Sequence, residues 1–416
     1  MKVNFDGPDR VLAESASPES DQETLAGKWR RVVRRRSFLH GIGAAAAATL
    51  PATALFAQDS DTNSASKALT RGDVALLKIA AAIELIEADL WLQYNELGGV
   101  NGGNASYIAG LSNLDSDMPQ YIADNTDDEI SHAAFLNAYL ISKGEEPVDL
   151  DAFRTLQGSV ATGADQTILH LTNLKSLNVD TSWYFRYRST TNPDLGGHFP
   201  QLLDIKNQPA IPLSDSDTDP TALVALLQKF PITDPKARRI QAIANTAGFH
   251  FGYIEQGGSS LYPILALKAT NLEVLRILLS IGGVEINHFS LWHDKAGNAI
   301  AQPLAGPNGL TDPETKLTFP DFNNPANQHN ANLSPTDKAA GHEMFQTNLI
   351  LPEPCEFLSK NLPACSIVRP TLTQNGGAVA TIRSFIADNL FLGQSNTFFN
   401  TLFALARDAD AVEREC

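Results

Sequence analysis

Four long segments of the chain carry acidic side chains inside an otherwise apolar helical pattern. Apolar residues recur every three or four positions over residues 66–99, 118–144, 235–269 and 271–295, which predicts four α-helices. The first two segments end in glycine, a residue that commonly terminates helices. Because an unpaired carboxylate is costly to bury in an apolar core, the acidic positions in these segments strongly constrain the fold.

The acidic residues and histidines follow one order along the four segments. The positions are, in chain order, Glu84, Glu87, Glu129, His132, Glu255, Glu285 and His288. The second and fourth segments therefore each carry Glu-x-x-His, and the first and third carry glutamate alone. A single Glu-x-x-His is a weak pattern, since a pair on a protein surface means nothing. Its repetition inside two apolar segments is what favours a shared site.

The spacing of each Glu-x-x-His pair suits metal binding. Side chains at i and i+3 of a helix lie about 60° apart around the axis and about 4.5 Å apart along it, so both reach one ion. Carboxylate and imidazole are suitable ligands for iron or manganese. Two such helices and two more glutamates supply ligands for two ions with bridging carboxylates. The alternative interpretation is a set of buried Glu–His hydrogen bonds without metal.

The N-terminal region is typical of an export signal. Residues 1–33 are polar, and RRRSFLHGIGAAAAATLPATALFAQ follows, a basic cluster ahead of a short apolar run. Arg35 and Arg36 begin R-R-S-F-L, which resembles the twin-arginine export motif. The resemblance implies recognition by the twin-arginine export machinery, cleavage after Ala54 or Ala57, and a periplasmic or secreted protein.

Charge and cysteine content agree with that location. The net charge of −16 argues against nucleic acid as a partner and against docking on an anionic membrane. Disulfides persist outside the cytoplasm, so Cys355 and Cys365 are candidates for a bond that closes a proline-rich loop. Cys416 is expected to be free.

Two long stretches lack the helical pattern, and strand patterns are sparse. Residues 145–233 are mixed in character, with a short helix expected near 162–178, and a final helix is expected over 377–408. The sequence thus predicts a mainly α protein. The predicted divisions are a signal region at 1–57, a helical domain at 66–298 with an insertion at 145–233, and a loop-rich extension at 299–416 ending in a helix.

The four segments resemble the ferritin-like superfamily, and within it the exported ferritin-like proteins that include desiccation-related proteins. The family pattern has Glu in helix one, Glu-x-x-His in helices two and four, and in helix three Glu with a Gly and a Tyr seven residues on, here Glu255, Gly258 and Tyr262. The resemblance covers about 70–145 and 235–298. The insertion falls where a ferritin-like bundle makes its one long crossover.

The resemblance implies a four-helix bundle with two Fe or Mn ions and redox chemistry with O₂, peroxide or ferrous iron. The expected partners are a small-molecule oxidant and further copies of the chain in a homo-oligomer. The alternative is a non-catalytic metal-binding or stress-protective scaffold. Trp91 stands where the family has Tyr, and Trp91, Tyr94 and Tyr262 are expected around the ligands. His250 and His293 are expected at the surface or beside the site.

The first segment leaves two glutamates open as the ligand. Glu84 is favoured by the family pattern, because the aromatic Trp91 follows it by seven residues. Glu87 is favoured by helical geometry, because it points almost directly away from the expected solvent face, whereas Glu84 lies about 120° from that face. The residues expected on this face are Lys78, Asp89 and Gln93.

Overall fold

The computed structural model describes residues 68–181, 203–296, 309–319, 352–353, 359, 361–363, 365–366 and 376–415. Within them the helices are α1 (Arg71–Gly98), α2 (Ala105–Ser112), α3 (Met118–Ser142), α4 (Asp215–Thr218), α5 (Val224–Leu227), α6 (Pro235–Lys268), α7 (Leu272–Asp294), α8 (Ala378–Ala387) and α9 (Asn396–Asp410). The strands are β1 (Leu156–Gln157), β2 (Leu169–His170), β3 (Leu177–Asp180), β4 (Asp204–Gln208), β5 (Leu310–Thr311), β6 (Thr318–Phe319), β7 (Pro352–Glu353) and β8 (Cys365–Ser366). The strands pair only as antiparallel hairpins. The prediction of a mainly helical protein is confirmed.

The long helices α1, α6 and α7 each begin at a residue whose side chain caps the helix. Thr70 accepts a hydrogen bond from the Asp73 N–H at 3.0 Å, and the Asp73 carboxylate accepts one from the Thr70 N–H at 3.2 Å. Asp234 caps α6 immediately ahead of Pro235, and Asn271 caps α7. The four predicted long helices are confirmed to within a few residues at each end.

The long helices pack as two pairs, α1 along α3 and α6 along α7. Residues 79–91 of α1 and 239–252 of α6 are buried on every side of the helix. By contrast, α7 keeps one outer face exposed, with Leu272 and Leu279 on it. The centre of the protein therefore lies along α1 and α6.

Other segments cover those two central helices. The hairpin β3–β4 and the short helix α2 pack on α6, and α9 packs on α1. The insertion is fastened to the connection between α8 and α9, because the Asn173 N–H donates to the Leu390 carbonyl at 2.6 Å and the Asn178 N–H to the Asp388 carbonyl at 3.0 Å. These contacts keep water from the central helices.

Asp89 and Gln93 of α1 are buried, so the predicted solvent face of this helix is wrong at both residues. Asp89 accepts hydrogen bonds from Arg154 Nη1 at 2.6 Å and from the Leu171 and Thr172 N–H groups at 2.9 and 3.0 Å. Gln93 donates to Thr172 Oγ1 at 2.8 Å. The polar face of α1 therefore binds the insertion rather than water.

Two other expectations are also wrong. Residues 162–178 form no helix but turns, strand β2 and the start of β3. The helix expected over 377–408 is two helices, α8 and α9, because Asn389 and Gly393 adopt φ values of 60° and 102°, which a helix excludes.

Some predictions fall on residues outside those described. They include the signal region with Arg35 and Arg36, and the proposed disulfide, since Cys355 lies outside and only the backbone of Cys365 is described. These stay predictions.

Replacing Asp89 with Ala is expected to lower the free energy of unfolding by about 3–5 kcal/mol, because it removes one partner of a buried ion pair. Chemical denaturation measures the change. Asp151→Ala is the matched control: Asp151 pairs with the same Arg154 at 3.0 Å, but its side chain is 32% exposed. The control should lose less than about 1 kcal/mol, and equal losses would contradict this role for Asp89.

Candidate metal centre

The seven predicted glutamates and histidines all lie in the core between the four long helices. None of the five glutamates is more than 1% exposed, and His132 and His288 are 8% and 6% exposed. The helical registers explain this convergence, because each residue lies on the face of its helix that is turned to the other three. Burial at this level removes almost all stabilisation of the carboxylates by water.

Six of the seven residues form two groups, each with ligand atoms within 4.8 Å of one another. The first group is Glu84, Glu129, His132 and Glu285. The second group is Glu129, Glu255, Glu285 and His288. Glu129 and Glu285 belong to both groups, and each group also has one glutamate and one histidine that the other group lacks. The second group repeats the chemistry of the first.

In the first group, one ring nitrogen faces three carboxylates. His132 Nδ1 lies 3.2 Å from Glu84 Oε2, 3.2 Å from Glu129 Oε2 and 3.4 Å from Glu285 Oε1. A single N–H group cannot satisfy three acceptors well. Both oxygens of Glu285 indeed lack a hydrogen bond of good geometry. The carboxylates of Glu84, Glu129 and Glu285 therefore point into one common space, and the imidazole N–H cannot pair with all three.

In the second group, His288 is held from its outer side. Its Nε2 lies 3.0 Å from Asp128 Oδ2, an arrangement that orients a metal-binding imidazole. Its Nδ1 lies 3.1 Å from Glu129 Oε1 and 3.3 Å from Glu255 Oε2, yet forms no hydrogen bond of good geometry with either. His288 Nδ1 can therefore offer its lone pair or its proton to the other members of the second group.

The carboxylates outnumber the cationic groups near them. Burial raises the pKa of Glu84 to about 8 and raises that of Glu285 well above its ordinary value. Burial also acts to raise the pKa of Glu129, but the close His132 and His288 imidazoles outweigh it and lower this pKa. Among the described residues, no Lys or Arg forms an ion pair with the cluster. Within the part of the chain that the structure describes, protons or metal cations are therefore what can balance its charge.

The structure brings Glu84 into the first group and leaves Glu87 outside both groups. Glu87 is nevertheless buried, with neither carboxylate oxygen in a hydrogen bond. Burial, followed by the charge of Glu285, raises its pKa well above the ordinary value. Helical geometry favours Glu87 only if Asp89 lies on the solvent face of α1. The insertion covers Asp89, so this argument for Glu87 does not hold.

Two of the three predicted neighbouring aromatics contact the cluster directly. Trp91 Nε1 donates to Glu255 Oε1 at 3.0 Å, and the Tyr262 hydroxyl donates to Glu84 Oε1. Tyr94 instead lies one side chain further out, against His250.

Besides Asp128, two residues that hold the cluster, Asn125 and Trp292, were missed in the sequence. Asn125 Nδ2 donates to Glu129 Oε1 at 2.8 Å and to Glu255 Oε1 at 3.1 Å, and its Oδ1 accepts from Trp292 Nε1 at 2.7 Å. Asn125 lies one helical turn before Glu129, a spacing that indicates a shared face. Trp292 lies seven residues after Glu285, as Trp91 does after Glu84. The four-residue spacing could have identified Asn125, and the seven-residue spacing could have identified Trp292.

His250 and His293 are both buried, at 0% and 2% exposure, so a surface position is wrong for either. Neither belongs to a ligand group. His250 lies between Tyr94 and Asp388, and Asp388 comes from the C-terminal end of α8. Sequence alone could not show this contact, because Asp388 is far from α6 along the chain.

No protein-family model, characterised protein sequence or solved structure matches this chain. The assignment of the site therefore depends on its donors. Carboxylate oxygens and imidazole nitrogens suit iron or manganese. Orphaned oxygens of Glu285, Glu255 and Glu87 point to a cationic partner as well. The residues fit a metal centre.

Gly258→Ala should sharply reduce metal binding. A Cβ atom at Gly258 would lie 2.3 Å from Glu285 Oε2, so this shared carboxylate would have to move. Gly257→Ala is the matched control, because a Cβ atom there meets nothing within 4 Å. The control should bind metal normally and gain up to about 1 kcal/mol of stability from helix propensity. Elemental analysis of both variants is the measurement; equal metal content in the two would contradict the position of Glu285.

The metal-free protein should lose stability as pH rises from about 5 to 8. In the folded state burial raises the pKa of Glu84 from 4.5 to about 8. The folded state then holds a proton that the unfolded state releases, so this contribution is complete below the unfolded pKa and is lost as pH rises through 8. The raised pKa values of Glu285 and Glu87 act in the same direction, and the lowered pKa of Glu129 acts against them.

Denaturant unfolding of chelator-treated protein across this pH interval measures the effect. Glu84→Gln cannot titrate and should flatten the dependence. A stability that rises with pH in the metal-free protein would contradict these shifts.

Proposed function

We propose that this chain is an exported ferritin-like protein that holds two iron or manganese ions and uses them in redox chemistry with O₂, peroxide or ferrous iron. The observation that carries the proposal is the sharing of Glu129 and Glu285 between two otherwise separate ligand groups. Shared carboxylates are what a dinuclear centre requires, because they bridge neighbouring ions.

The proposed ligand assignment follows the two groups. Glu84 and His132 would hold one ion, Glu255 and His288 would hold the other, and Glu129 and Glu285 would lie between them. When bound, iron or manganese supplies changes of oxidation state that protein side chains cannot provide.

The surrounding residues have defined tasks in this proposal. The Tyr262 hydroxyl orients the carboxylate of Glu84, and the Trp91 indole N–H orients that of Glu255. Asp128 orients the His288 ring. Trp91, Trp292 and Phe251 form an apolar wall, with ring centroids 4.7–5.4 Å apart, that excludes water from one side of the cluster.

Helix connectivity supports the ferritin-like proposal. The pairs α1–α3 and α6–α7 pack closely, and the long connection lies between the pairs. A ferritin-like bundle has this one long crossover. The R-R-S-F-L motif supports export of the chain in a folded state, with metal bound beforehand.

Purified protein should contain about two Fe or Mn ions per chain, as the ligand count of a dinuclear centre requires. Replacing both His132 and His288 with Ala should remove most of this metal, because each group loses its only nitrogen ligand. His293→Ala is a suitable control, since His293 is a buried histidine of the same helix as His288 and lies outside both groups. Elemental analysis that finds the same metal content in all these proteins would refute the proposed site.

Activity assays then separate an enzyme from a scaffold. Metal-loaded protein should decompose peroxide or consume O₂ with a reductant, and the double histidine variant should do neither. Protein that holds two ions and is inert in both assays would instead be a metal-binding scaffold.

A further inference from the structure

Exposed apolar side chains gather on the outer side of α7, near its N-terminal end. Leu272 and Leu279 are seven residues apart and therefore share one face of the helix; they are 67% and 58% exposed. Arg276 lies between them on the same face and is also exposed. Leu267 of α6 and Phe135 of α3 are 46% and 47% exposed. We call these five residues the outer patch.

Leu267 lies beside α7 at the level of the patch centre. A Cβ atom at Gly282 of α7 would lie 2.7 Å from Tyr262 Cβ, which shows where α6 and α7 touch. The two helices run in opposite directions, because a short turn after Lys268 joins them. Five residues beyond Tyr262 on α6, Leu267 is therefore level with Ile277 of α7.

Phe135 reaches the same level on α3. The Tyr139 hydroxyl donates to Glu273 at the start of α7 at 2.8 Å, and Phe135 precedes Tyr139 by one helical turn. α3 runs antiparallel to α7, since Asp128, further back on α3, contacts His288 near the end of α7. Phe135 is therefore level with the part of α7 that carries the leucines. Exposed apolar side chains that gather in one place mark an interaction site, whereas scattered ones do not.

The opposite face of α7 argues against a membrane as the partner. By length and composition, α7 is apolar enough to cross a membrane. Its inner face, however, holds Glu285 and His288, which are buried against the other long helices. The net charge of −16 also disfavours a position on the surface of an anionic membrane. A protein partner therefore fits the outer patch better.

Two charged groups at the patch can pair with each other across a contact between two copies of the chain. Arg276 forms no ion pair with any residue that the structure describes. Glu273 accepts hydrogen bonds from Lys143 Nζ at 2.7 Å and from the Tyr139 hydroxyl at 2.8 Å, both at Oε2. Its Oε1 can therefore accept from another donor, and its side chain is 47% exposed. The patch thus offers both a cationic donor and a carboxylate acceptor.

An antiparallel pair of α7 helices satisfies the leucines and the charges together. With a twofold axis between Leu275 and Arg276, Leu272 lies level with Leu279 of the second copy. In this register Glu273 and Arg276 of the second copy are offset by two residues, or about 3 Å along the helices. An arginine side chain spans this offset. Because the axis is twofold, each contact forms twice.

We propose that the outer patch is the contact surface of a symmetric homodimer. Leu272 packs against Leu279 of the second copy, and Glu273 pairs with Arg276 of the second copy. Leu267 and Phe135 extend the apolar contact on the two neighbouring helices. This inference goes beyond the proposed function and does not depend on metal, because no residue of the patch belongs to a ligand group.

Sedimentation velocity of the full-length purified protein over a range of concentrations tests the proposal. We expect a species with the mass of two chains that dissociates on dilution, with and without a metal chelator. Leu279→Glu should raise the dissociation constant at least about a hundredfold, because the dimer would have to bury two unpaired carboxylates. Thermal unfolding of this variant should match that of the unchanged protein, since Leu279 is exposed within one chain.

Leu392→Glu is the matched control. Leu392 is 53% exposed, close to the value for Leu279, but it lies in the connection between α8 and α9, outside the patch. This variant should dimerise as the unchanged protein does. Equal weakening by both substitutions would show an effect of added charge alone and would overturn the proposal.

Charge reversal tests the twofold register. Arg276→Glu places a carboxylate opposite Glu273 of the second copy and should weaken the dimer, because like charges at a contact repel. Glu273→Arg should weaken it as well. The two substitutions together exchange the charges and should restore part of the lost affinity. A double variant that is weaker than both single variants would contradict this register.

The remaining outcomes also decide the matter. A protein that is monomeric at every concentration overturns the proposal, as does a dimer that persists in Leu279→Glu. Phosphatidylcholine vesicles provide the test for a membrane partner. A monomer that sediments with these vesicles, and no longer does so as Leu279→Glu, would assign the patch to a lipid surface instead. None of these results bears on the metal content of the protein, so the proposed function is tested separately.

Discussion

The burial of five carboxylates among two imidazoles is the constraint on which the rest of this structure depends. Each of these glutamates is at most 1% exposed, and none has a Lys or Arg partner among the described residues. Such a cluster is costly for the folded state unless protons or cations neutralise it. The two ligand groups, which share Glu129 and Glu285, place the carboxylates and imidazoles close enough together to hold metal ions.

The remainder of the fold keeps this cluster dry and fixed. The insertion covers α1 through Asp89, and the C-terminal segment reaches α6 through the contact of Asp388 with His250. The outer hydrogen-bonding partners of the ligands come from three of the four long helices, Trp91 from α1, Asn125 and Asp128 from α3, and Tyr262 from α6. A change in any one element would therefore affect the geometry of the ligands.

Much of the helical frame and the cluster could be predicted from local sequence. Apolar periodicity and terminal glycines located the long helices, and the i, i+3 spacing of Glu129 with His132 identified a ligand pair. Asp89 was misassigned because periodicity shows that a face is polar, but not whether water or another segment covers it. The partner of His250 likewise depends on a distant residue, and only the tertiary fold brings Asp388 to it.

The dinuclear centre that we propose has Glu129 and Glu285 as its shared ligands. Anomalous X-ray diffraction at the iron and manganese absorption edges, from crystals of metal-loaded protein, tests it most directly. We expect two anomalous peaks, one beside Glu84 and His132 and the other beside Glu255 and His288. A single peak that engages only one group, or no peak within the cluster, would contradict it.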